Sequence, residues 1–250
     1  MINKLSTLIF IFMSMLSYAQ ADTINVAVAA NFKQTLVNLK SEFETQTPHQ
    51  INIITASTGQ LTQQITHGAP FDILLAANTS HPQTLWQKLH KERKLNQDAL
   101  TVYALGRLVF YSQTPLKLTD TPKSVLNKAA YPKISVANAR LAPYGLAAEQ
   151  TLKCLNLYNL WKPKLIVGQN IAQTFQFIDS KNVAAGFVAM SQVLDKSQEH
   201  VHIVDESCYQ PIKQSALRLN NKRSSYEFMA FLSKPATLAI IEAHGYLLPK

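Results

Sequence analysis

Four short segments of the chain place small or polar residues where a strand-like run gives way to a helix-like run. They are residues 30–31 (Ala-Asn), 57–59 (Ser-Thr-Gly), 143–145 (Pro-Tyr-Gly) and 170–171 (Asn-Ile). At a helix start the first main-chain N–H groups have no acceptor within the helix, and the helix dipole adds partial positive charge. Helix starts that converge would therefore form a site that holds an oxyanion with neutral donors.

Three side chains at these junctions add donors of their own: the Asn31 amide, the Thr58 hydroxyl and the Tyr144 phenol. None of the four segments contains Asp or Glu. A donor-only site accepts a fully ionised tetrahedral dianion, whereas a carboxylate would favour a protonated anion such as hydrogen phosphate. Taken alone, each junction is better explained as an ordinary helix cap or tight turn, with Asn31 and Ser57 as caps. The functional interpretation therefore depends on their convergence.

The segments that must position these junctions alternate between strand and helix patterns. Residues 24–29 form a short β-branched apolar run, after which Phe32, Leu36, Leu39 and Phe43 recur at helical spacing. The pattern repeats with strands at 50–55 and 71–76 around a helix at 61–67. This βαβαβ order predicts an α/β fold with a parallel sheet and helices on both faces.

A second alternating series follows along the chain. Strands are predicted at 108–111, 134–137, 165–167, 186–188 and 213–219, and helices at 145–155, 172–180, 226–232 and 235–242. Extended segments near 101–108 and 213–219 would carry the chain between two α/β units. We therefore predict two lobes with a ligand cleft between them, lobe I from 22–104 and 214–250 and lobe II from 105–213.

The first 21 residues differ in composition from the rest. Lys4 precedes an uncharged, mostly apolar run at 5–16, and Ala19 and Ala21 offer the small residues that a signal peptidase requires. We predict a signal peptide over 1–21, whose removal leaves 229 of the 250 residues. No later run approaches about 18 consecutive apolar residues. The mature chain is expected to be exported, soluble and periplasmic.

The overall composition, with 47% hydrophobic and 16% charged residues, is that of a globular protein. The net charge of +9 becomes +8 without Lys4, and no run of five basic residues occurs. We therefore predict a basic surface and no nucleic-acid partner. Cys154 and Cys208 suit either one disulfide in an oxidising compartment or two thiols, and their spacing does not decide between these.

The junctions and their flanks together resemble a known family. The resemblance lies in residues 26–32, 56–61, 68–77, 138–145, 168–177 and 186–191. In these segments, and in order along the whole mature chain, the sequence resembles the periplasmic molybdate-binding proteins of ABC importers, the ModA family. The resemblance implies two lobes of the type II periplasmic binding protein fold closing on molybdate or tungstate. It also implies a binding protein without enzymatic activity or cofactor, a monomer that docks on an inner-membrane ABC permease.

Carried over from this family, the ligand donors are expected at Asn31, Thr58, Tyr144 and Ile171, the last through its main-chain N–H. Many relatives have Ser at the positions of Asn31 and Thr58, and both departures keep a neutral hydrogen-bonding group. Some relatives supply a ligand-contacting Tyr from the position of Ala189, which cannot donate through its methyl group. Tyr144 is expected to replace that donor.

Other interpretations of the same residues carry less weight. The ligand could be another oxyanion such as sulfate or phosphate, since sequence does not measure a cavity. A secreted hydrolase with Ser57 or Thr58 as nucleophile and Asp72 in a triad lacks the G-x-S-x-G motif. His200 and His202 could form a metal-binding pair on one face of a strand, but no Cys, His or carboxylate lies at the spacing that further metal ligands would need. An effector domain of a regulator is disfavoured by the signal peptide.

Overall fold

The computed structural model describes residues 21–117, 121–127 and 131–249. The predicted signal peptide lies outside these residues except for Ala21. Within the described parts of the chain, no helix is both long enough and apolar enough to cross a membrane.

Two five-stranded sheets organise the described residues. The strands are β1 (Thr23–Ala29), β2 (Gln50–Ala56), β3 (Ile73–Ala76), β4 (Leu100–Gly106), β5 (Leu108–Ser112), β6 (Ile134–Ala137), β7 (Leu165–Gly168), β8 (Ala185–Ala189), β9 (Val201–Ile203) and β10 (Ile212–Arg218). The first sheet has the order β2-β1-β3-β10-β4 and the second the order β7-β6-β8-β5-β9. We refer to the elements around each sheet as the first and the second lobe.

Both sheets are mostly parallel, as the βαβ pattern predicts. In the first sheet β1 pairs in parallel with β2 and β3, while β10 is antiparallel to β3 and β4. In the second sheet β6 is parallel to β7 and β8, while β5 is antiparallel to β8 and β9. Each sheet therefore has one reversed strand, and each reversed strand directly follows a crossing of the chain between lobes. The lobe limits predicted at 104/105 and 213/214 fall inside β4 and β10 and stay a prediction.

Helices cover both faces of each sheet. They are α1 (Lys33–Gln46), α2 (Thr58–Thr66), α3 (Ser80–Leu89), α4 (Pro122–Asn127), α5 (Pro143–Cys154), α6 (Tyr158–Trp161), α7 (Ile171–Asp179), α8 (Arg223–Leu232) and α9 (Pro235–Ala243). On one face of the first sheet, Phe43 of α1 packs edge-on against Phe228 and Phe231 of α8, with ring centroids 5.5 and 5.2 Å apart. Each such buried ring stabilises the fold by roughly 1.5–3 kcal/mol.

The sequence pattern and the structure differ mainly at element ends. Helix α2 begins at Thr58, three residues before the predicted start at Leu61, because Ser57 and Gln60 form a capping box. The strand predicted over 71–76 begins at Ile73. Helices α3, α4 and α6 and strand β9 were not predicted, since they are short or have weak periodicity.

Cys154 and Cys208 are joined in a disulfide, with Cα atoms 5.4 Å apart. The bond connects the last residue of α5 to the segment that leads into β10. The sequence left open whether these two residues form a disulfide or remain thiols, and the structure shows the disulfide, which cross-links the second lobe.

Candidate anion-binding site

The four predicted junctions converge on one small cavity between the lobes. Its walls come from the ends of β1, β2 and β3 in the first lobe and from the starts of α5 and α7 in the second. The lining residues are Ala29, Ala30, Asn31, Ser57, Thr58, Ala77, Ala142, Pro143, Tyr144, Asn170 and Ile171. None of these carries a charge. The cavity has a volume of about 10 Å³, far below that of sites for drug-sized organic ligands.

At the first junction a 3₁₀ turn, Ala30–Phe32, connects β1 to α1. Asn31 is buried, and its side-chain amide donates to Gln214 Oε1 at 2.8 Å and to the Tyr246 hydroxyl at 3.1 Å. Both amide hydrogens are thus engaged away from the cavity. The main-chain N–H groups at the start of the turn remain as candidate donors, because they have no acceptor within the turn. The expected donation by the Asn31 side chain is therefore not available in this arrangement.

At the second junction Ser57 caps α2, and its side chain bonds to Gln60. The neighbouring Thr58 is fully buried, and its Oγ1 accepts a hydrogen bond from the Ala77 N–H at 3.0 Å. Because the oxygen accepts from Ala77, the hydroxyl hydrogen must point elsewhere. Thr58 therefore has both a hydroxyl and a main-chain N–H to offer to an anion in the cavity.

At the third junction Pro143 and Tyr144 are the first two residues of α5. Tyr144 is buried, and burial raises the pKa of its phenol well above the usual value, with nearby Tyr246 adding to the effect. The phenol therefore stays protonated and able to donate. A methyl group at Gly106, the last residue of β4, would overlap the phenol oxygen. The Tyr144 side chain thus reaches from the second lobe to β4, the strand from which the chain passes out of the first lobe.

At the fourth junction Asn170 caps α7, and its Oδ1 accepts from the Gln173 N–H at 3.0 Å. Ile171 is the buried first residue of α7, so its N–H has no acceptor within the helix. Its carbonyl accepts from Gln192 Nε2 at 3.1 Å, which fixes the position of the helix start. All four predicted site residues therefore lie at first-turn positions around one cavity.

Ala189, where some relatives have a ligand-contacting Tyr, is the last residue of β8. Its N–H donates to Gln192 Oε1, and it is absent from the described lining of the cavity. Tyr144 is the phenol among the described lining residues, and its replacement of that donor stays a prediction.

Three polar residues that sequence reasoning missed form a network behind the cavity. Gln214 and Tyr246 hold the Asn31 amide, and the Tyr246 hydroxyl also donates to the Asn31 carbonyl at 2.9 Å. Ser191, from the second lobe, donates to the same carbonyl at 2.9 Å. These residues are 160 to 215 positions away from Asn31 in sequence. No motif links single polar residues at such separations, so only the fold reveals them.

The competing interpretations find little support in the geometry. The Ser57 hydroxyl is engaged by Gln60 within its own capping box. Asp72 accepts from the Asn25 N–H at 2.7 Å and from Lys222 at 2.9 Å, which makes it a structural tie between β1 and the segment before α8. His200 Nδ1 bonds to the Ser112 carbonyl at 2.8 Å. Among the described residues, no group of three or more His, Cys, Asp and Glu side chains could hold a metal ion.

Comparison with known proteins agrees with this geometry. The family of bacterial extracellular solute-binding proteins matches residues 24–247. The molybdate-binding protein ModA of Azotobacter vinelandii is 37% identical over 234 residues, 91% of this chain and 91% of the relative. The molybdate-binding protein ModA of Rhodobacter capsulatus is 33% identical over 232 residues, 92% of this chain and 90% of the relative.

The solved structure of the Azotobacter vinelandii periplasmic molybdate-binding protein matches with a TM-score of 0.82 at 29% identity. The match covers 91% of this chain and 100% of that chain. It confirms the predicted two-lobed type II periplasmic binding protein fold. The chain therefore belongs to the bacterial extracellular solute-binding proteins and, among these, to the molybdate-binding protein (ModA) family.

Proposed function

We propose that this protein captures molybdate between its two lobes and delivers it to an ABC importer. The observation that carries the proposal is the cavity itself, where helix starts from both lobes meet and where no lining side chain is charged. Asn31, Thr58, Tyr144 and Ile171 are the proposed contacts, through main-chain N–H groups and the hydroxyls of Thr58 and Tyr144.

The chemistry of the donors matches that of the ligand. A fully ionised tetrahedral dianion offers only acceptor oxygens, and the junctions offer hydrogens with partial positive charge from helix dipoles. Hydrogen bonds to a charged group contribute about 1.5–3 kcal/mol each, roughly twice a neutral pair. Since the lining holds no carboxylate, nothing in it favours a protonated anion over the dianion.

The names of the relatives support molybdate as the ligand. Tungstate has the same charge and the same tetrahedral shape, so we propose it as a second ligand of the same site. Sulfate and phosphate are smaller or protonate near neutral pH, and they are the alternatives that the experiment below separates.

We further propose that the mature protein works in the periplasm as a monomer. Residues 1–21 would direct export as a signal peptide, and the ligand-loaded protein would dock on a permease in the inner membrane. No cofactor and no nucleic-acid partner are proposed. A binding role without catalysis accords with the transport family to which the chain belongs.

The proposal is tested by thermal unfolding of the mature protein with molybdate, tungstate, sulfate and phosphate. A ligand that binds only the folded state adds RT ln(1 + [L]/Kd), on the order of 4 kcal/mol at a thousandfold excess over Kd. We expect clear stabilisation by molybdate and tungstate and little by the other two anions. Stabilisation by sulfate or phosphate alone would reassign the protein to another oxyanion, and no stabilisation by any anion would refute the site.

A further inference from the structure

Two hydrogen bonds join the lobes beside the cavity, and neither donor belongs to a residue of its lining. On one side the Gly59 N–H of α2 donates to the Leu141 carbonyl of the second lobe at 2.9 Å. On the other side the Ser191 hydroxyl of the second lobe donates to the Asn31 carbonyl at 2.9 Å. We propose that these two contacts hold the lobes closed over the bound anion, so that Gly59 and Ser191 control how slowly the ligand leaves. The inference rests on the proposed function.

Gly59 is suited to this contact because it has no side chain. It is the second residue of α2, so its N–H lacks an acceptor within the helix and is available to the other lobe. A Cβ built at Gly59 has as its three nearest atoms the Cα, the carbonyl oxygen and Cδ2 of Leu141, at 3.1, 3.1 and 3.2 Å. Two of these are backbone atoms. A methyl group there would require Leu141 to move back by a few tenths of an ångström, which weakens the contact between the lobes, and it would meet nothing closer in its own lobe.

Ser191 makes the matching contact on the opposite side. It lies in the 3₁₀ turn Met190–Gln192 that follows β8. Besides donating to Asn31, its hydroxyl oxygen lies 3.1 Å from the Tyr246 hydroxyl oxygen, whose one hydrogen can go either to Ser191 or to the Asn31 carbonyl. Tyr246 in turn bonds to both the side chain and the carbonyl of Asn31. The second lobe is thereby connected to Asn31, the proposed ligand contact of the first junction.

Both contacts exist only while the lobes touch, and neither includes a lining residue's side chain that faces the ligand. Removing one of them should therefore leave encounter with the anion unchanged and raise the rate of opening. The net contribution of one hydrogen bond between neutral groups corresponds to roughly a three- to tenfold change in an equilibrium constant. Gly59 and Ser191 are in this sense positioning residues, which act on the ligand through lobe closure.

The test compares molybdate association and dissociation rates in the wild type, Gly59→Ala and Ser191→Ala. Matched controls are Gln64→Ala, an exposed position on the same helix α2, and Ser180→Ala, an exposed serine of the second lobe. We expect dissociation roughly three- to tenfold faster in both variants, with association within twofold and with both controls like the wild type. Ligand-free Gly59→Ala should melt at or above the wild-type temperature, because Ala favours a helix over Gly.

Unchanged dissociation rates in both variants, with molybdate still bound by the wild type, would overturn the inference and leave the proposed function standing. A lowered melting temperature of the ligand-free variants with proportionate loss of binding would also overturn it, since the residues would then be merely structural. A wild-type protein that binds none of the four anions would refute the proposed function first and the inference with it.

Discussion

Thr58 illustrates how a neighbouring N–H group can orient a single hydroxyl so that its hydrogen is available to a ligand. Its oxygen accepts from the Ala77 N–H at 3.0 Å in a fully buried position, so its hydrogen is directed to another acceptor. Geometry rather than charge sets the direction of this hydrogen bond. The same side chain therefore suits an anion and is poorly suited to a cationic or donor-rich ligand.

Replacing Thr58 by Val keeps the shape of the side chain and removes the hydroxyl. Because a hydrogen bond to a charged group contributes about 1.5–3 kcal/mol, we expect molybdate affinity to fall roughly 10- to 100-fold in Thr58→Val. Thr58→Ser is the matched control and should stay within a few-fold of the wild type. Thr58→Asp should abolish binding by like charge. Titration calorimetry measures all of these, and wild-type affinity in the Val and Asp variants would place the ligand elsewhere.

The Tyr144 phenol is buried, and because burial raises its pKa well above the usual value the phenol stays neutral. If it donates to the ligand, Tyr144→Phe should weaken molybdate binding roughly 10-fold or more, with the fold retained because the ring stays in place. Equilibrium binding and the ligand-free melting temperature provide the comparison. An unchanged affinity would remove the phenol from the site and leave only the main-chain N–H groups at this helix start.

At this scale the sequence was sufficient to predict which residues meet at the cavity, while their contacts with a ligand stay a prediction. Asn31, Thr58, Tyr144 and Ile171 all line the cavity, because first-turn positions after parallel strands meet at one sheet edge. The Asn31 amide hydrogens are engaged by Gln214 and Tyr246 in the structure, so the contact predicted for this residue is now expected from its main-chain N–H. A side chain's orientation depends on partners distant in sequence, which periodicity does not reveal.

Among the elements, α5 depends on a glycine near its start. A Cβ at Gly145 would overlap the carbonyl of Ala137 at the end of β6 and would lie 2.9 Å from the Ala139 nitrogen. The close approach of α5 to β6 places Tyr144 at the cavity. We expect Gly145→Ala to destabilise the protein by at least 1–3 kcal/mol, as overpacking of a tight core contact does. Urea unfolding measures this, and Gly59→Ala, which should not lower ligand-free stability, is its control.

The disulfide ties the end of α5 to the segment before β10 and closes a loop with a sequence separation of 54. Chain-entropy arguments assign a loop of this length about 4 kcal/mol of stability, through its effect on the unfolded state. Cys154→Ala with Cys208→Ala, or reduction of the wild type, should therefore lower the free energy of unfolding by about 2–4 kcal/mol. Adding reductant to the double variant should have no further effect. Equal stability of oxidised and reduced protein would contradict the cross-link.

The order of elements was largely predictable, and their pairing only partly so. The βαβ pattern gave β1, β2 and β3 as parallel strands, which the register confirms. The reversed strands β5 and β10 follow from where the chain crosses between lobes. Three-residue β9 pairs with β5 as an edge strand, and such a short segment has too few residues for an alternating pattern to stand out.

In the molecule as a whole, buried tyrosines are expected to lower the free energy of unfolding at alkaline pH. Burial raises the pKa of Tyr246 to about 12, and it also raises the pKa values of Tyr103 and Tyr144 well above 10.0. Above about pH 10 the unfolded chain ionises these groups while the folded protein keeps them neutral. Their contribution to stability is therefore fully present below that pH and is lost as pH rises toward 12.

We expect the free energy of unfolding to fall between about pH 10 and pH 12. Denaturant unfolding across that range, with tyrosinate absorbance of the native protein, measures both stability and ionisation. Tyr246→Phe should show a shallower fall than the wild type because one of the titrating groups is gone. A flat profile to pH 12 would contradict the assignment.

The absence of charged side chains from the cavity lining has a consequence for how transport ends. A dianion held only by neutral donors meets no lining group that can take up or lose a proton near neutral pH, so no titration within the lining releases it there. What undoes the binding is the separation of donors that belong to different lobes. If an ABC permease receives the ion, as we propose, a contact that separates the two lobes would be sufficient to release it.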